Sequence, residues 1–508
     1  MKSHRQTTTW NAVFTYAAIL MTMVSGFVLP PLYLKHISAE VYGAWLASGN
    51  LLAWLSALDP GVSAALQQRI GHAYGEQARE KVGRWIGAGV LVSVVLCLTI
   101  IVVGLSVESV LLGLLDLPED LEIGPLYSAF TMAVIATALT MASFSYGSMA
   151  YGLQGTFAVG FVQVAGTGAS IGVTIFFVLS GDGVVAIAKG MIFRAVFWFL
   201  GCSIYLSWRA HREAIKISFS RKELRELVRL TGFTSLGRLG GTLINHMDSF
   251  AVTRYLGAET TVALEMTRRA PAGARPIIQR LSNAVMPSIS NLDGQGEHEK
   301  LARILSRMLA IMGWATGLFV AGFACLNQDF VRLWVGPEYF AGHSINILVL
   351  AALSLSMFVA IFSNLCMALG NIEGNSVIRF IESLVFAAAL YIGVKNFGLM
   401  GAVVAPIIAK LLVGAWYYPR AFAALVDLEP GVLLRLGKEV FKAFIVASIL
   451  SLLFYQWPSG GWFSFALAGF SLAVTYILTL AAVSGQFRAE LKTVNRYIKK
   501  RFTRSKSS

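Results

Sequence analysis

The chain has 508 residues, with 41 Lys and Arg against 27 Asp and Glu for a net charge of +14, 56% hydrophobic positions and 13% charged ones. A soluble chain carries roughly a quarter charged residues, so this composition excludes a string of water-soluble domains; with a mean hydropathy of +0.67 it reads as a polytopic membrane protein. Nucleic acid is excluded as a partner because the basic residues sit between apolar runs, not on one water-soluble face.

In chain order, the first element runs from Trp10 to Leu34 behind a short basic start, Met1 to Arg5. It is longer than the apolar region of a secretory signal, and no small-residue cleavage site precedes Pro30-Pro31, so it is read as a retained first span. Runs of about 20 mostly apolar residues are long enough to cross a bilayer as helices, and about fourteen are present. They lie near 10–34, 41–68, 85–107, 125–150, 157–180, 184–208, 230–256, 261–291, 304–327, 344–369, 376–395, 398–422, 438–456 and 462–486. The second is interrupted at Asp59-Pro60-Gly61, and the fourth and fifth share a stretch from Ile123 to Gly181 without Asp, Glu, Lys, Arg or His, turning at Gln154-Gly155. Lys and Arg accumulate in short cytoplasmic loops. Threaded with the N-terminus inside, the inner segments hold 28 of the 41 basic residues and the outer loops 4, which predicts both termini in the cytoplasm. No loop is long enough for a soluble catalytic domain. The basic tail from Arg488 to Lys506 is either laid along the anionic inner leaflet or a solvated flank.

Shifted by 219 residues, Ala39-Glu40 and Ala44 align with Ala258-Glu259 and Ala263, and Gly75, Glu80, Lys81 and Arg84 align with Gly294, Glu299, Lys300 and Arg303. Both matches fall in equivalent loops, which favours two parallel halves, a device of transporters that handle substrate at the interface of their repeats. The expected fold is an all-α polytopic integral membrane protein of about 14 transmembrane helices. It comprises two pseudo-symmetric six-helix lobes over 1–208 and 230–422, a cytoplasmic connector over 209–229, two additional C-terminal helices over 423–486 and a basic cytoplasmic tail over 487–508.

Ionisable residues inside a membrane are costly and face a wet cavity or the bundle interior, so each is a functional candidate. The eighth span is richest. On a helix, Glu265, Arg268, Arg269, Arg275, Gln279, Arg280 and Asn283 share roughly 140° of arc, opposite Met266, Ala270, Ala274, Ile277, Leu281 and Val285. Pro271 and Pro276 bend or break it, which a membrane tolerates where the break lines a cavity. The alternative is an amphipathic helix in the headgroup layer. The seventh span adds Arg238 and Asn245 on one face and Asp248 beside it, while His246 is read as a packing histidine. Arginine recognises phosphate and carboxylate bidentately, so these residues predict an anionic substrate headgroup. Asp59 is either a coupling carboxylate or the cap of a kinked half-helix. Cys97, Cys202, Cys325 and Cys366 are scattered singly, and no P-loop, HExxH or GxSxG is present, so no metal, cofactor or enzyme chemistry is expected.

Tyr42-Gly43-Ala44-Trp45, Leu58-Asp59-Pro60-Gly61-Val62 and the six-plus-six-plus-two layout resemble the bacterial polysaccharide transporters, Wzx-type O-antigen flippases of the multidrug/oligosaccharidyl-lipid/polysaccharide exporter superfamily. The resemblance implies an inner-membrane flippase whose lobes alternate between inward-open and outward-open states. It carries an undecaprenyl-pyrophosphate-linked oligosaccharide, an O-antigen or exopolysaccharide repeat unit of lipopolysaccharide-type biosynthesis, from the cytoplasmic to the periplasmic leaflet. It assigns the lumenal cations to Arg238, Arg268, Arg269, Arg275 and Arg280, leaves proton or sodium coupling open among Asp59, Asp248 and Glu265, and implies the bilayer, a polysaccharide polymerase and chain-length machinery as partners. Two readings share this scaffold: a lipid II flippase, whose headgroup is equally anionic, and a cation-coupled multidrug antiporter, whose cargo the arginines disfavour. A membrane-embedded polymerase or ligase would want a long outer loop, which the sequence lacks.

Overall fold

A computed structural model describes residues 4–56, 61–115, 123–275, 295, 298–426, 430–454 and 460–493. The helices are α1 His4–His36, α2 Ala39–Ser56, α3 Val62–Gly75, α4 Arg79–Leu114, α5 Gly124–Gly152, α6 Thr156–Leu179, α7 Val185–Arg212 and α8 Arg221–Leu256. They continue with α9 over 258–275, α10 His298–Trp334, α11 His343–Ala368, α12 Ile372–Ala409, a π-helical turn Lys410–Gly414, α13 Ala415–Val426, α14 Pro430–Phe454, α15 Trp462–Val483 and α16 over 485–493. The chain is an all-α polytopic membrane protein, and each of the fourteen apolar runs overlaps these helices within the described residues. Nine spans among the described residues are long and apolar enough to cross a membrane. Large apolar side chains such as Leu452, Phe463 and Phe470 point outward, as lipid-facing surfaces require.

Two boundaries have local causes. The second apolar run stops at Ser56 and resumes at Val62 as a separate helix; Asp59 and Pro60, between them, lie outside the described residues. The run from 376 to 422 bends at Gly398, whose φ of 57° is open to glycine at little cost, so α12 is two helices joined at a kink. Beyond the bend, Gly401 returns against Gly393 backbone to backbone, the close approach that small residues permit in membranes.

By contact the chain divides into two units, Met1–Val262 with Ser376–Ala405, and Ala263–Asn375 with Pro406–Ser508. Helix starts follow a different logic. Positions 39 and 258, 79 and 298, and 124 and 343, which open α2 and α9, α4 and α10, and α5 and α11, are each separated by 219 residues, the offset of the sequence repeat. Contact therefore groups α8 and most of α12 with the first seven helices, whereas chain order pairs them with later ones. The core of the first unit gathers Leu66, Ile70, Trp85, Ile86, Met149 and Leu227. That of the second gathers Trp314, Leu450, Leu472 and Tyr476, whose hydroxyl donates to the Trp314 carbonyl at 2.9 Å.

At the ends of α3, α4, α7 and α8 in the first unit, charges pair. Arg69 meets Glu226 at 2.7 Å, Arg209 meets Glu213 at 2.6 Å, and Arg84 Nε donates to Glu223 at 3.0 Å. Glu223 also accepts from Ser220, the residue preceding α8. Burial alone would raise its carboxyl, yet bonds from Ser220, its own backbone N–H and Arg84 hold it below the usual range. The Arg84–Glu223 tie is thus complete at neutral pH and lost only as pH falls through that lowered value. Between α7 and α8, residues 215–219 form an extended strap across α4, where Gly83 and Gly87 let it lie flat and the Ser218 N–H donates to the Gly83 carbonyl at 3.3 Å. A Cβ at Gly83 would collide with the Lys216 carbonyl. Gly83→Val is therefore expected to lift the strap at a cost of about 1–3 kcal/mol. Faster tryptic cleavage at the exposed Lys216 is the readout, and cleavage at the wild-type rate would show that the strap tolerates a side chain there.

Candidate functional site

The candidate site is built on α9. Gly257 ends α8 and α9 starts at the next residue, with Gly43 of α2 packed against Ala258 so closely that a Cβ on Gly43 would overlap the Ala258 carbonyl. The Thr253 and Thr261 hydroxyls, 2.7 Å apart, pin the corner.

Along α9, Leu264, Met266, Thr267, Ala270 and Ala274 are buried, while Glu265, Arg268, Arg269 and Arg275 are half-buried and Ala272 is exposed. At about 100° per residue the three arginines and Glu265 span roughly 120° centred on Ala272, so the described turns carry the polar face expected from the sequence. Arg268 Nη1 lies 3.5 Å from Glu265 Oε1, one turn away. The cationic face is thereby moderated at its start.

Pro271 shapes the other side. A proline has no N–H, so the carbonyl four residues earlier loses its helical partner, and here that carbonyl belongs to the fully buried Thr267. Asn327 of α10 fills the gap, its Nδ2 donating to the Thr267 carbonyl at 2.8 Å and to Asn346 Oδ1 of α11 at 2.8 Å. Asn346 Nδ2 in turn donates to the Phe323 carbonyl at 2.9 Å, and the Thr267 hydroxyl accepts from the Ala341 N–H at 2.8 Å. Asn327 and Asn346 are both buried. This amide pair braces α9 at the residue before Arg268. Sequence reasoning missed it, because neutral asparagines in apolar runs carry no charge to flag them; the usable signal was Pro271, which obliges some donor to cover Thr267.

The remaining candidates fall in different places. Asp248 is a buried residue of α8 in the first unit, its Oδ1 accepting from the Ser249 N–H at 2.9 Å. Arg238 lies on α8, but its side chain is outside the described residues, as are Arg280 and Asp59 altogether. Glu265, Arg268, Arg269 and Arg275 belong to the second unit. Of the other intramembrane charges, Lys189 pairs with Asp182 at 2.6 Å, and Glu382 and Lys410 are buried in separate units. Among the described residues no three His, Cys, Asp or Glu side chains come together as metal ligands.

In fold, the chain is an all-α multi-helix membrane protein similar to solved transporters. It is similar to a lipid II flippase, MurJ, in an inward closed conformation, with a TM-score of 0.69 and 14% identity over 93% of this chain and 98% of that one. It is also similar to an inward-facing multidrug resistance MATE family transporter of the MOP superfamily, with a TM-score of 0.62 and 16% identity over 81% and 96% of the two chains. In sequence, residues 90–341 match the family described as polysaccharide biosynthesis protein. A Shigella flexneri protein named "Putative O-antigen transporter" is 23% identical over 260 residues, 49% of this chain and 59% of that protein, so the chain aligns with a little over half of that relative's length. The family match thus covers just under half of the chain, and the O-antigen transporter relative falls in the same class by its printed name.

Proposed function

We propose that this protein is an inner-membrane flippase that moves an undecaprenyl-pyrophosphate-linked oligosaccharide from the cytoplasmic to the periplasmic leaflet. The observation that carries the reading is the braced arginine face of α9, three guanidinium groups over about two turns in a membrane protein whose residues 90–341 match a polysaccharide biosynthesis family. Pyrophosphate is the complementary headgroup, since guanidinium forks match its oxygens and a poorly hydrated site strengthens each contact. Arg268, Arg269 and Arg275, with Arg238 and Arg280, line the path of the headgroup and sugars in this reading, while the polyprenyl tail stays in lipid. Two six-helix lobes, 1–208 and 230–422, alternate the access of that path, with both termini in the cytoplasm. Glu265, Asp248 and Asp59 are the carboxylates through which an ion gradient would act. A polymerase and chain-length machinery would receive the flipped unit outside.

The likeness to MurJ supports a second cargo on the same chemistry, because lipid II carries the same class of headgroup. One experiment tests both. After depletion of the protein, membrane lipids are extracted while surface polysaccharide is quantified. The expected result is accumulation of a polyprenyl-pyrophosphate oligosaccharide on the cytoplasmic leaflet as surface polysaccharide falls. Accumulation of lipid II instead transfers the reading to cell-wall precursor, and unchanged lipid pools with new sensitivity to cationic dyes overturn the flippase reading.

A further inference from the structure

A second polar site lies within the first unit, away from α9. A partly open cavity of about 130 Å³ is enclosed by α1, α6 and α7, and Ser25, Tyr33, Thr167, Ser170, Thr174 and Arg194 supply its polar lining. That is room for a small ring, since a single water needs only about 10–15 Å³ on the same measure. Glycine makes the space: Gly190 of α7 faces Thr174 of α6 so closely that any Cβ would meet the threonine hydroxyl.

The four serine and threonine hydroxyls are already committed as donors. Ser25 donates to the Thr22 carbonyl at 2.9 Å, Thr167 to Gln163 at 2.7 Å, Ser170 to Thr167 at 2.8 Å and Thr174 to Ser170 at 2.8 Å. Such back-bonding spends each proton inside its own helix and leaves the oxygen lone pairs to accept. The cavity therefore presents an array of acceptors. Arg194 is the opposite: its guanidinium carbon stacks 5.3 Å from the Trp198 ring centroid, and its buried Nε has no hydrogen-bond partner. Among the described residues no carboxylate lines the cavity or pairs with Arg194. Buried cations are ordinarily paired, so the site lacks an anion and a set of hydroxyl donors.

A hydroxylated ring bearing a carboxylate supplies both at once. We propose that this cavity binds an acidic sugar, its carboxylate on Arg194 and its hydroxyls donating to the Ser25, Thr167, Ser170 and Thr174 oxygens. As a subsite for the transported oligosaccharide the proposal rests on the flippase reading, and it then predicts a uronic-acid class of residue in the repeat unit. Binding of the free monosaccharide does not depend on flipping.

The test is saturation-transfer NMR with the full-length protein in phosphatidylcholine nanodiscs, titrated with glucuronate, glucose and acetate. Saturable glucuronate binding is expected, stronger than that of glucose or acetate, weakened roughly tenfold by Arg194→Gln and several-fold by Thr174→Val, which keeps the side-chain shape but removes the acceptor. No saturable binding by the wild type, equal binding of acetate, or binding unchanged in both variants would overturn the proposal. Loss of the glucuronate signal when phosphatidylglycerol replaces phosphatidylcholine would assign the cavity to a lipid headgroup and overturn it as well. Intact glucuronate binding with no accumulation of lipid-linked sugar on depletion would sink the flippase reading alone, and the reverse pattern would sink this site alone.

Discussion

Replacing Arg268 and Arg269 together by glutamine is expected to cut export of the lipid-linked oligosaccharide by two orders of magnitude or more while the protein stays inserted at its normal level. Both residues are half-buried on the polar face of α9. A hydrogen bond to a charged group contributes about 1.5–3 kcal/mol, so losing two charge-assisted contacts to a pyrophosphate removes about 3–6 kcal/mol, a factor of roughly 10²–10⁴. The comparison is made by flipped oligosaccharide per inserted protein in reconstituted vesicles. Export at the wild-type rate in the double variant would remove α9 from the substrate path.

The second large effect concerns the brace behind that face. Asn327→Leu keeps the branched shape and leaves the Thr267 carbonyl, buried and deprived of an N–H by Pro271, without a donor. An unsatisfied buried group of this kind costs about 1–3 kcal/mol, read as lost thermal stability in nanodiscs. Pro271→Ala returns an N–H four residues after Thr267 and should absorb much of that cost, so the double variant Asn327→Leu, Pro271→Ala should be more stable than the two single costs predict. A coupling of about 1 kcal/mol or more is expected from the cycle. Strict additivity would mean that Asn327 serves something other than the proline gap.

The helices were legible because hydropathy leaves little choice in a bilayer: runs of about 20 apolar residues must be helical to satisfy their own backbone. The separation of α2 from α3, the polar face of α9 and Pro271 were equally plain, since each is a property of one segment. What stayed hidden is pairwise. Asn327 and Asn346 come from helices far along the chain from Thr267, and nothing local to either marks the partnership. The pairing of Lys189 with Asp182, seven residues earlier and before the start of α7, is of the same kind. The charges between α7 and α8 were legible as a topological count, yet their specific ties, Arg84 to Glu223 and Arg69 to Glu226, depend on how helix ends meet. The Arg194 cavity was hidden in the same way, because the hydroxyls around it are ordinary serines and threonines until three helices bring them together.

The strap across Gly83 and Gly87 sets a gearing ratio. It leaves no slack between α7 and α8, and the Arg84–Glu223 tie pins α8 one turn from its start. That helix has 36 residues, about 54 Å at 1.5 Å per residue. If α8 tilted about that end together with the α2 residues packed on it, about 5° would carry Leu256, beside the start of α9, through about 5 Å, close to one helical turn. A small angular change near the pinned end would thus be delivered as a stroke of molecular size where the arginine-bearing helix begins.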